Sequence, residues 1–292
     1  MIDVQIVAGK RHDVLQECLG RLMSQDGHVR HIYIANNTGS PLDIPNPLVT
    51  VVNNRHPLTF EQNHNALARL GDADYILFID DDAFIFPGCL ETLFRKLSAE
   101  RDALQVSGVN NQTLRLEHPV REIPKVAKLD EFRAMSSLLE ELSRIQLDRE
   151  AGIWNTRIFS PGSLVLTRRE TWMNAYGGWD ERYANWNEEV DYILWGYEHG
   201  FKTLVTPSVW YFHCLSTSRA GDQLLGNILS GSRHFLDKFP PERLSALRER
   251  LSRMGGSLAA DLDGFAGFNR YCSVAENVRA SDYYSKILKY LD

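Results

Sequence analysis

The sequence predicts an α/β fold, a mainly parallel central sheet with helices on both faces. Three observations carry this. Short apolar or β-branched runs alternate with stretches of helical spacing through the first hundred residues, which is the pattern of strand–helix–strand units. One run, Tyr75-Ile76-Leu77-Phe78-Ile79, is apolar at every position, as a strand covered on both faces requires. Polar turn residues follow the strand-like runs, as at Asn36-Asn37-Thr38-Gly39 and Asn53-Asn54. In sheets of this kind ligands bind just beyond the carboxyl ends of the strands.

The elements follow in order. Val4–Val7 reads as a strand, and Val14, Leu15, Cys18, Leu19 and Leu22 share a helical face. Ile32–Ala35 and Val49–Val52 are strands, Ala66, Leu67 and Leu70 mark a helix, and Tyr75–Ile79 is the fourth strand. Leu90, Leu93, Phe94 and Leu97 give another helix. Residues 110–158 break the rhythm, with one long helix through Met135, Leu138, Leu139, Leu142 and Ile145. Residues 159–213 return to strand, loop, helix, strand. From about 217 no strand is expected, and Leu244, Leu247, Leu251 and Met254 line one face of a helix flanked by Arg243, Arg248, Arg250 and Arg253. The expected division is a sheet-bearing domain over 1–215, with halves at about 1–109 and 110–215, and a helical C-terminal extension over 216–292.

Composition excludes several classes. The 292 residues hold 38 Asp and Glu against 32 Lys and Arg, a formal net charge of −6. That acid excess argues against a protein that coats nucleic acid, which needs a basic footprint. A 43% hydrophobic share is ordinary for a folded chain and argues against wholesale disorder. No apolar run approaches the roughly 20 residues that span a bilayer. The start, MIDVQIVAGKRHDV, lacks the basic segment and long apolar core of a signal peptide. Cys18, Cys89, Cys214 and Cys272 are scattered and form no CxxC pair, so they read as reduced, in keeping with a cytoplasmic protein.

Three constellations carry chemistry. Asp80-Asp81-Asp82 directly follows the buried strand. Such a run can be a polar loop that caps a helix, but here it stands where a parallel sheet binds ligands. A divalent cation relieves the repulsion of adjacent carboxylates, and oxygen ligands suit Mg²⁺ or Mn²⁺. On an extended segment Asp80 and Asp82 point the same way and Asp81 elsewhere. In the second, Val190, Ile193, Leu194 and Tyr197 define an amphipathic helix, with Asn187 as a plausible cap and Gly200 as a stop. Glu188, Glu189 and Asp191 crowd its first turn. One acid there suits the helix dipole, whereas a carboxylate at a helix start facing a cleft is also a candidate general base. In the third, the strand-like Pro207–Phe212 ends in His213, which alone reads as structural more readily than as a ligand.

Taken in order, these elements resemble the family 2 inverting glycosyltransferases of the GT-A fold, a Rossmann-like architecture. The matching segments are Tyr75–Asp82, Ser160-Pro161-Gly162-Ser163, Gly177-Gly178-Trp179-Asp180-Glu181, Glu188–Asp191 and His213. A weaker likeness to bacterial galactofuranosyltransferases rests on Asp80–Asp82 and Trp186–Tyr192. The family resemblance covers roughly residues 1–215 and implies a set of roles. Asp82 binds the metal, Asp80 the metal or the donor ribose, and His213 completes the site, with Mn²⁺ or Mg²⁺ as the cation. Glu189 is the base, with Glu188 as its neighbouring alternative, and Asp191 orients the acceptor or structures the helix start. Gly162 and Ser163 let the backbone approach the donor sugar. Ala8, Lys10, Arg11, Asn36, Asn63 and Asp81 belong to the donor site, and Trp179, Asp180 and Trp186 to the acceptor site.

The chain departs from the family pattern at Val7-Ala8-Gly9-Lys10-Arg11, where a Pro-Thr-aromatic segment is usual, and at Asn36, where Asp is usual. An amide is not an acceptor-only carboxylate, so the donor base stays open, with UDP or dTDP expected. Asn63 reads equally as a helix cap. The resemblance implies a nucleotide-sugar donor and a glycan or lipid-linked glycan acceptor, as in cell-surface polysaccharide synthesis, with no nucleic-acid partner. The expected location is the cytoplasm, including the inner membrane face. The arginine-flanked helix near 242–254 reads first as a packed helix with a solvated basic face, and alternatively as a lipid-docking or dimer surface.

Other readings compete. A haloacid-dehalogenase-like phosphatase also places DxD after a strand, but wants Thr or Val soon after the second Asp, and here Ala83-Phe84 follows. A sugar nucleotidyltransferase needs a longer glycine-rich basic loop than Gly9-Lys10-Arg11. A non-catalytic sugar-binding scaffold is disfavoured by intact acids at Asp80, Asp82, Glu188 and Glu189.

Overall fold

A computed structural model describes residues 1–25, 27–114, 128–214 and 221–274. The first hundred residues alternate as expected: β1 (Ile2–Ala8), α1 (His12–Met23), β2 (Val29–Asn36), β3 (Val49–Asn53), α2 (Phe60–Ala68), β4 (Tyr75–Ile79), a short β5 (Ala83–Phe84), α3 (Cys89–Ala99) and β6 (Ala103–Asn110). The long helix of the middle segment is α4 (Leu129–Arg149). After β7 (Asn155–Thr156) and β8 (Leu164–Arg168) comes a π-helix, Glu170–Tyr176, which apolar spacing did not predict. A 3₁₀ turn (Glu181–Tyr183), α5 (Glu188–Glu198) and the long β9 (Lys202–His213) complete the sheet-bearing part. Then come α6 (Gly221–Lys238), α7 (Pro241–Met254) and α8 (Leu258–Val274).

Among the described residues one sheet forms, ordered β3-β2-β1-β4-β8-β6-β9-β5, with β7 also on β9. β3, β2, β1 and β4 are parallel, as are β6 and β9. β8 enters antiparallel between β4 and β6. This topology gathers the site on one edge. Ala8 pairs with Asn36 and Asn36 with Asn53, so three parallel strands end together. Ile79 pairs with Leu164, so the start of β8 meets the end of β4. Ala83 pairs with His213, which brings the end of β9 to the acidic run.

The uniformly apolar β4 is explained by its two faces, since successive side chains point to opposite sides. Leu77 and Ile79 join a core with Val14, Leu15 and Leu22 of α1 and Leu93 and Leu97 of α3. Ile76 and Phe78 join an aromatic cluster with Trp172, Trp179 and Tyr192. Each such buried side chain contributes about 1.5–3 kcal/mol before the entropy of ordering it is charged. On α5, Val190, Ile193, Leu194 and Tyr197 share a third core with Phe235, Phe239, Leu244, Leu251, Leu262 and Phe265. The C-terminal helices therefore pack on the helix that begins with the acidic pair.

The basic face of α7 is largely engaged within the chain. Arg243 donates to both Glu198 carboxylate oxygens, Arg250 to the Glu198 carbonyl at 2.9 Å, and Arg248 to Asp263 at 2.8 Å. These contacts favour the packed-helix reading of that stretch. All four cysteines are buried thiols. No described helix is long and apolar enough to cross a membrane.

Candidate active site

The acidic run lies at the sheet edge, braced from three sides. The Asp80 N–H donates to the Ser163 carbonyl at 3.1 Å, and the Cys214 N–H to the Asp82 carbonyl at 2.9 Å. The Gly9 N–H donates to Asp81 Oδ2 at 2.6 Å, so Asp81 faces the end of β1. Asp80 and Asp82 face the other way and meet His213. Its Nε2 lies 3.0 Å from Asp82 Oδ1 and 3.4 Å from Asp80 Oδ2. The three offer ligand atoms within 4.8 Å of one another. Two carboxylate oxygens and one imidazole nitrogen form a donor set that suits Mn²⁺ or Mg²⁺.

Charge in this corner is tightly coupled. Burial pushes the Asp81 carboxyl up to about 7, with Asp82 adding to the push and the Gly9 N–H opposing it. Burial alone would lower the His213 imidazole, but its hydrogen bonds to Asp80 and Asp82 outweigh that and raise it to about 10. A metal ligand at that position must be the neutral ring.

Sequence reasoning missed the residues that aim His213. Asn111 Oδ1 accepts the His213 N–H at 2.7 Å, and Asn111 Nδ2 donates to the His213 carbonyl at 3.2 Å. Gln112 Nε2 lies 3.2 Å from His213 Nδ1. A signal existed: Asn110-Asn111-Gln112 is a polar trio at the carboxyl end of an apolar strand, the position where ligands bind.

The helix carrying Glu188 and Glu189 starts as the spacing predicts, but Asn187 does not cap it through its side chain. Asn187 is left-handed, with φ 74°, and its Nδ2 donates to Asn269 of α8 at 2.7 Å. Gly200, with φ 91°, follows the helix end as a stop signal should. Glu188 is buried, while Glu189 is half-buried. Gly162 explains where Glu189 goes. A Cβ built on Gly162 would lie 1.8 Å from Glu189 Oε1 and 2.6 Å from its Cδ. The absent side chain is the space the carboxylate fills. Since Ser163 is bonded to Asp80, the Gly162-Ser163 turn joins Glu189 to the Asp80–Asp82–His213 cluster along one rim. Ser163 Oγ is itself 2.6 Å from Tyr211 Oη, and Asn110 donates to the same Oη.

On the strand ends toward β3 the expected donor residues are largely committed to partners within the fold. Ala8 is fully buried in β1, and its carbonyl accepts from the Asn37 N–H at 3.3 Å. Arg11 forms an exposed pair with Asp13 at 2.8 Å. Lys10 is exposed. The Asn36 side chain donates to the Ser40 carbonyl and to Asn53 Oδ1, and accepts from Thr38. Asn63 does not cap α2: Thr59 and Gln62 form that cap reciprocally. Asn63 instead donates to the Leu58 and Thr59 carbonyls and accepts from Asn54. These asparagines shape the loop ends with amide pairs that one-letter spacing does not reveal.

The three residues expected at the acceptor are also differently placed. Trp179 is buried, packed on Phe78, Trp172 and Tyr192. Trp186 packs over Gly231 of α6, where a Cβ would come within 2.8 Å. Asp180 holds Arg182, His234 and Lys238, and these partners overcome its burial and keep its carboxyl well below the usual range. Asp191 is fully buried and accepts from Tyr176 Oη at 2.7 Å and from Lys238 Nζ. Burial pushes its carboxyl up, with Lys238 opposing. Both aspartates thus tie α5 and its approach to α6, and sheet-pattern reasoning had no access to these partners. Gly177 and Gly178, both left-handed, end the π-helix, and Asn65 of α2 then bonds both the N–H and the carbonyl of Trp179.

A cavity of about 170 Å³ opens beside this rim, lined among others by Val109, Thr113, Arg157, Phe159, Pro161 and Pro207. Donor and acceptor specificity are expected of a pocket built from segments 110–158 and 214–235, and of these the first supplies Thr113, Leu114, Asn155 and Arg157 to the lining. Residues 115–127 and 215–220 of those segments lie outside the described residues.

The fold is that of the GT-A glycosyltransferases. Two solved structures carry the comparison. One is a mannosyltransferase from Pyrobaculum calidifontis in complex with GDP-Man and Mn²⁺, at 13% identity and a TM-score of 0.53, covering 99% of this chain and 84% of its own. The other is GalNAc-T7 with UDP, GalNAc and Mn²⁺, at 13% identity and a TM-score of 0.58, covering 99% of this chain and 56% of its own. At that identity the likeness shows the fold alone. The family model for glycosyl transferase family 2 matches residues 3–145, from β1 through most of α4. No curated protein matches the sequence.

Proposed function

We propose that the protein is a metal-dependent inverting glycosyltransferase. It moves a sugar from a nucleoside diphosphate to a hydroxyl of a glycan or glycolipid, in cell-surface polysaccharide synthesis at the cytoplasmic side of the membrane. One observation carries the mechanism: Glu189 lies against Gly162, and the adjoining Ser163 carbonyl accepts from the Asp80 N–H of the Asp80–Asp82–His213 cluster. A base and a cation site on one rim are the two parts the reaction needs.

Asp80, Asp82 and His213 would hold the cation. When bound, it neutralises charge developing on the leaving diphosphate, so no second carboxylic acid is needed to protonate the leaving group. Glu189 accepts the proton of the acceptor hydroxyl as that oxygen bonds to the anomeric carbon. Attack on the face opposite the diphosphate inverts the centre. Gly162 and Ser163 present backbone rather than side chain to the donor sugar. The half-burial of Glu189 leaves its carboxylate within reach of an entering hydroxyl. The cavity beside Pro161 supports an acceptor on that side.

The donor is a nucleotide sugar. The loop end around Asn36 and Asn53 carries amides where a carboxylate is usual, and these are bonded to one another and to Thr38 and Ser40, so the base is to be assigned by experiment. The test is nucleotide release from a panel of UDP-, dTDP- and GDP-sugars, with Mn²⁺, with Mg²⁺ and with chelator. Cation-dependent release that Glu189→Gln abolishes is expected. Equal release from every donor in chelator would refute the cation assignment, and phosphate release from phosphomonoesters would favour the phosphatase reading. The product's anomeric configuration, read by NMR, tests inversion.

A further inference from the structure

The C-terminal helices have no part in the mechanism above, yet they hold the segment that delivers the acidic pair. Lys238 of α6 donates from Nζ to Asp180 Oδ2 at 3.0 Å and also to Asp191 Oδ2. His234, one turn earlier, places Nε2 3.0 Å from the same Asp180 oxygen. Asn187 is tied to Asn269 of α8, and Trp186 sits on Gly231. On its other side the segment is held by α2. The Phe60 N–H donates to Asn185 Oδ1, and the Asn185 N–H to Glu61 Oε1.

Between these two clamps the backbone adopts conformations that L-residues leave when unrestrained. Ala184, Asn185 and Asn187 have φ of 54°, 66° and 74°. Left-handed backbone at an alanine persists only where the surroundings impose it. The first residues of α5 follow at once. Asp191 lies one helical turn beyond Glu188, so fixing Asp191 fixes the start of the helix and the direction in which Glu189 leaves it.

We propose that Lys238 is a positioning residue for the transfer reaction. By bridging Asp180 and Asp191 it holds the entry to α5 and keeps the Glu189 carboxylate against Gly162. Its ammonium meets Asp180, Asp191 and the rings of Tyr176 and Tyr183, so it acts through them. The inference rests on Glu189 as the base.

The variants Lys238→Met, Asp191→Asn/Lys238→Met and Glu189→Gln separate the outcomes. Lys238→Met leaves Asp191 buried without its counter-charge, which threatens folding. The double variant removes that charge together with the lysine. For each, the Tm, Mn²⁺ affinity, and kcat and donor KM for nucleotide release are measured on the intact chain, with the donor chosen from the panel above. The double variant should keep the wild-type Mn²⁺ affinity and donor KM within about twofold while kcat falls about 100-fold, the scale of a misplacement near 1 Å. A double variant within threefold of wild-type kcat would show that Lys238 only balances charge, and would overturn the proposal. If Glu189→Gln keeps full turnover, the base assignment falls and this inference with it. If Glu189→Gln loses turnover while the double variant keeps it, only the role of Lys238 falls.

Discussion

Gly162→Ala tests the proposed joint between base and sugar site with the smallest available change. The added methyl would lie 1.8 Å from Glu189 Oε1, and ordinary contact begins near 3.4 Å, so the carboxylate must retreat by about 1.6 Å. Nothing else should need to move. Gly162 is not among the left-handed glycines, so alanine fits its backbone, and the displaced atoms are the far end of a flexible side chain. The variant should therefore melt within a few degrees of the wild type. Its chemistry should suffer more. Misplacing a reacting group by about 1 Å costs on the order of 100-fold in rate, about 2.7 kcal/mol in the barrier. We expect kcat for cation-dependent nucleotide release to fall by about that factor or more. Mn²⁺ affinity should be unchanged, since Asp80, Asp82 and His213 lie on the other arm of the turn. Parallel melting curves and steady-state kinetics at saturating donor make the measurement. A Gly162→Ala enzyme with wild-type kcat would refute the claim that Glu189 acts from its position against this glycine.

Three further outcomes are expected. Asp82→Asn should weaken Mn²⁺ binding by at least about 100-fold in calorimetric titration while leaving the fold intact, because an amide is a poor substitute for a carboxylate ligand; unchanged binding would remove Asp82 from the site. Asn111→Ala should lower Mn²⁺ affinity about 10- to 100-fold without touching a ligand, because it orients His213, and unchanged affinity would show that His213 holds its aim without help. Burial pushes the His64 imidazole down to about 3, so the folded state keeps it neutral where the unfolded chain takes up a proton. That contribution is complete above about pH 6.5 and is lost as pH falls toward 3, at up to about 1.4 kcal/mol per pH unit. Urea unfolding of His64→Gln at pH 4–7 should show a shallower dependence than the wild type by one proton, and an identical dependence would refute the assignment.

Much of the site was legible in the residue order. Asp80–Asp82 after a strand buried on both faces pointed to a ligand edge, and the period-2 arrangement correctly set Asp81 apart from its neighbours. The acidic start of α5 was read from the same kind of local pattern, whereas His213 joined the site only through the family resemblance. The donor side was less legible. Asn36 and Asn63 spend their amides on Ser40, Asn53, Asn54 and the 58–59 carbonyls, and no spacing rule predicts which amide meets which. Trp179 stood in a motif that suggested a substrate contact, yet an aromatic beside Gly-Gly is equally suited to a core, and the π-helix before it turns it inward.

The sequence by itself determined the alternation of strands and helices, the strand that leads into the acidic run, and the carboxylates that crowd the start of α5. These follow from backbone periodicity and from chemistry that acts over a few neighbours. Only the tertiary structure decided that Gly162 makes room for Glu189, that Asn111 aims His213, and that Lys238 claims Asp180 and Asp191. Each of these is a contact between residues far apart in the chain. Their pairing is set by how the sheet edge and α5, α6 and α8 pack, and a buried charge or a missing Cβ takes its meaning from whatever that packing brings against it.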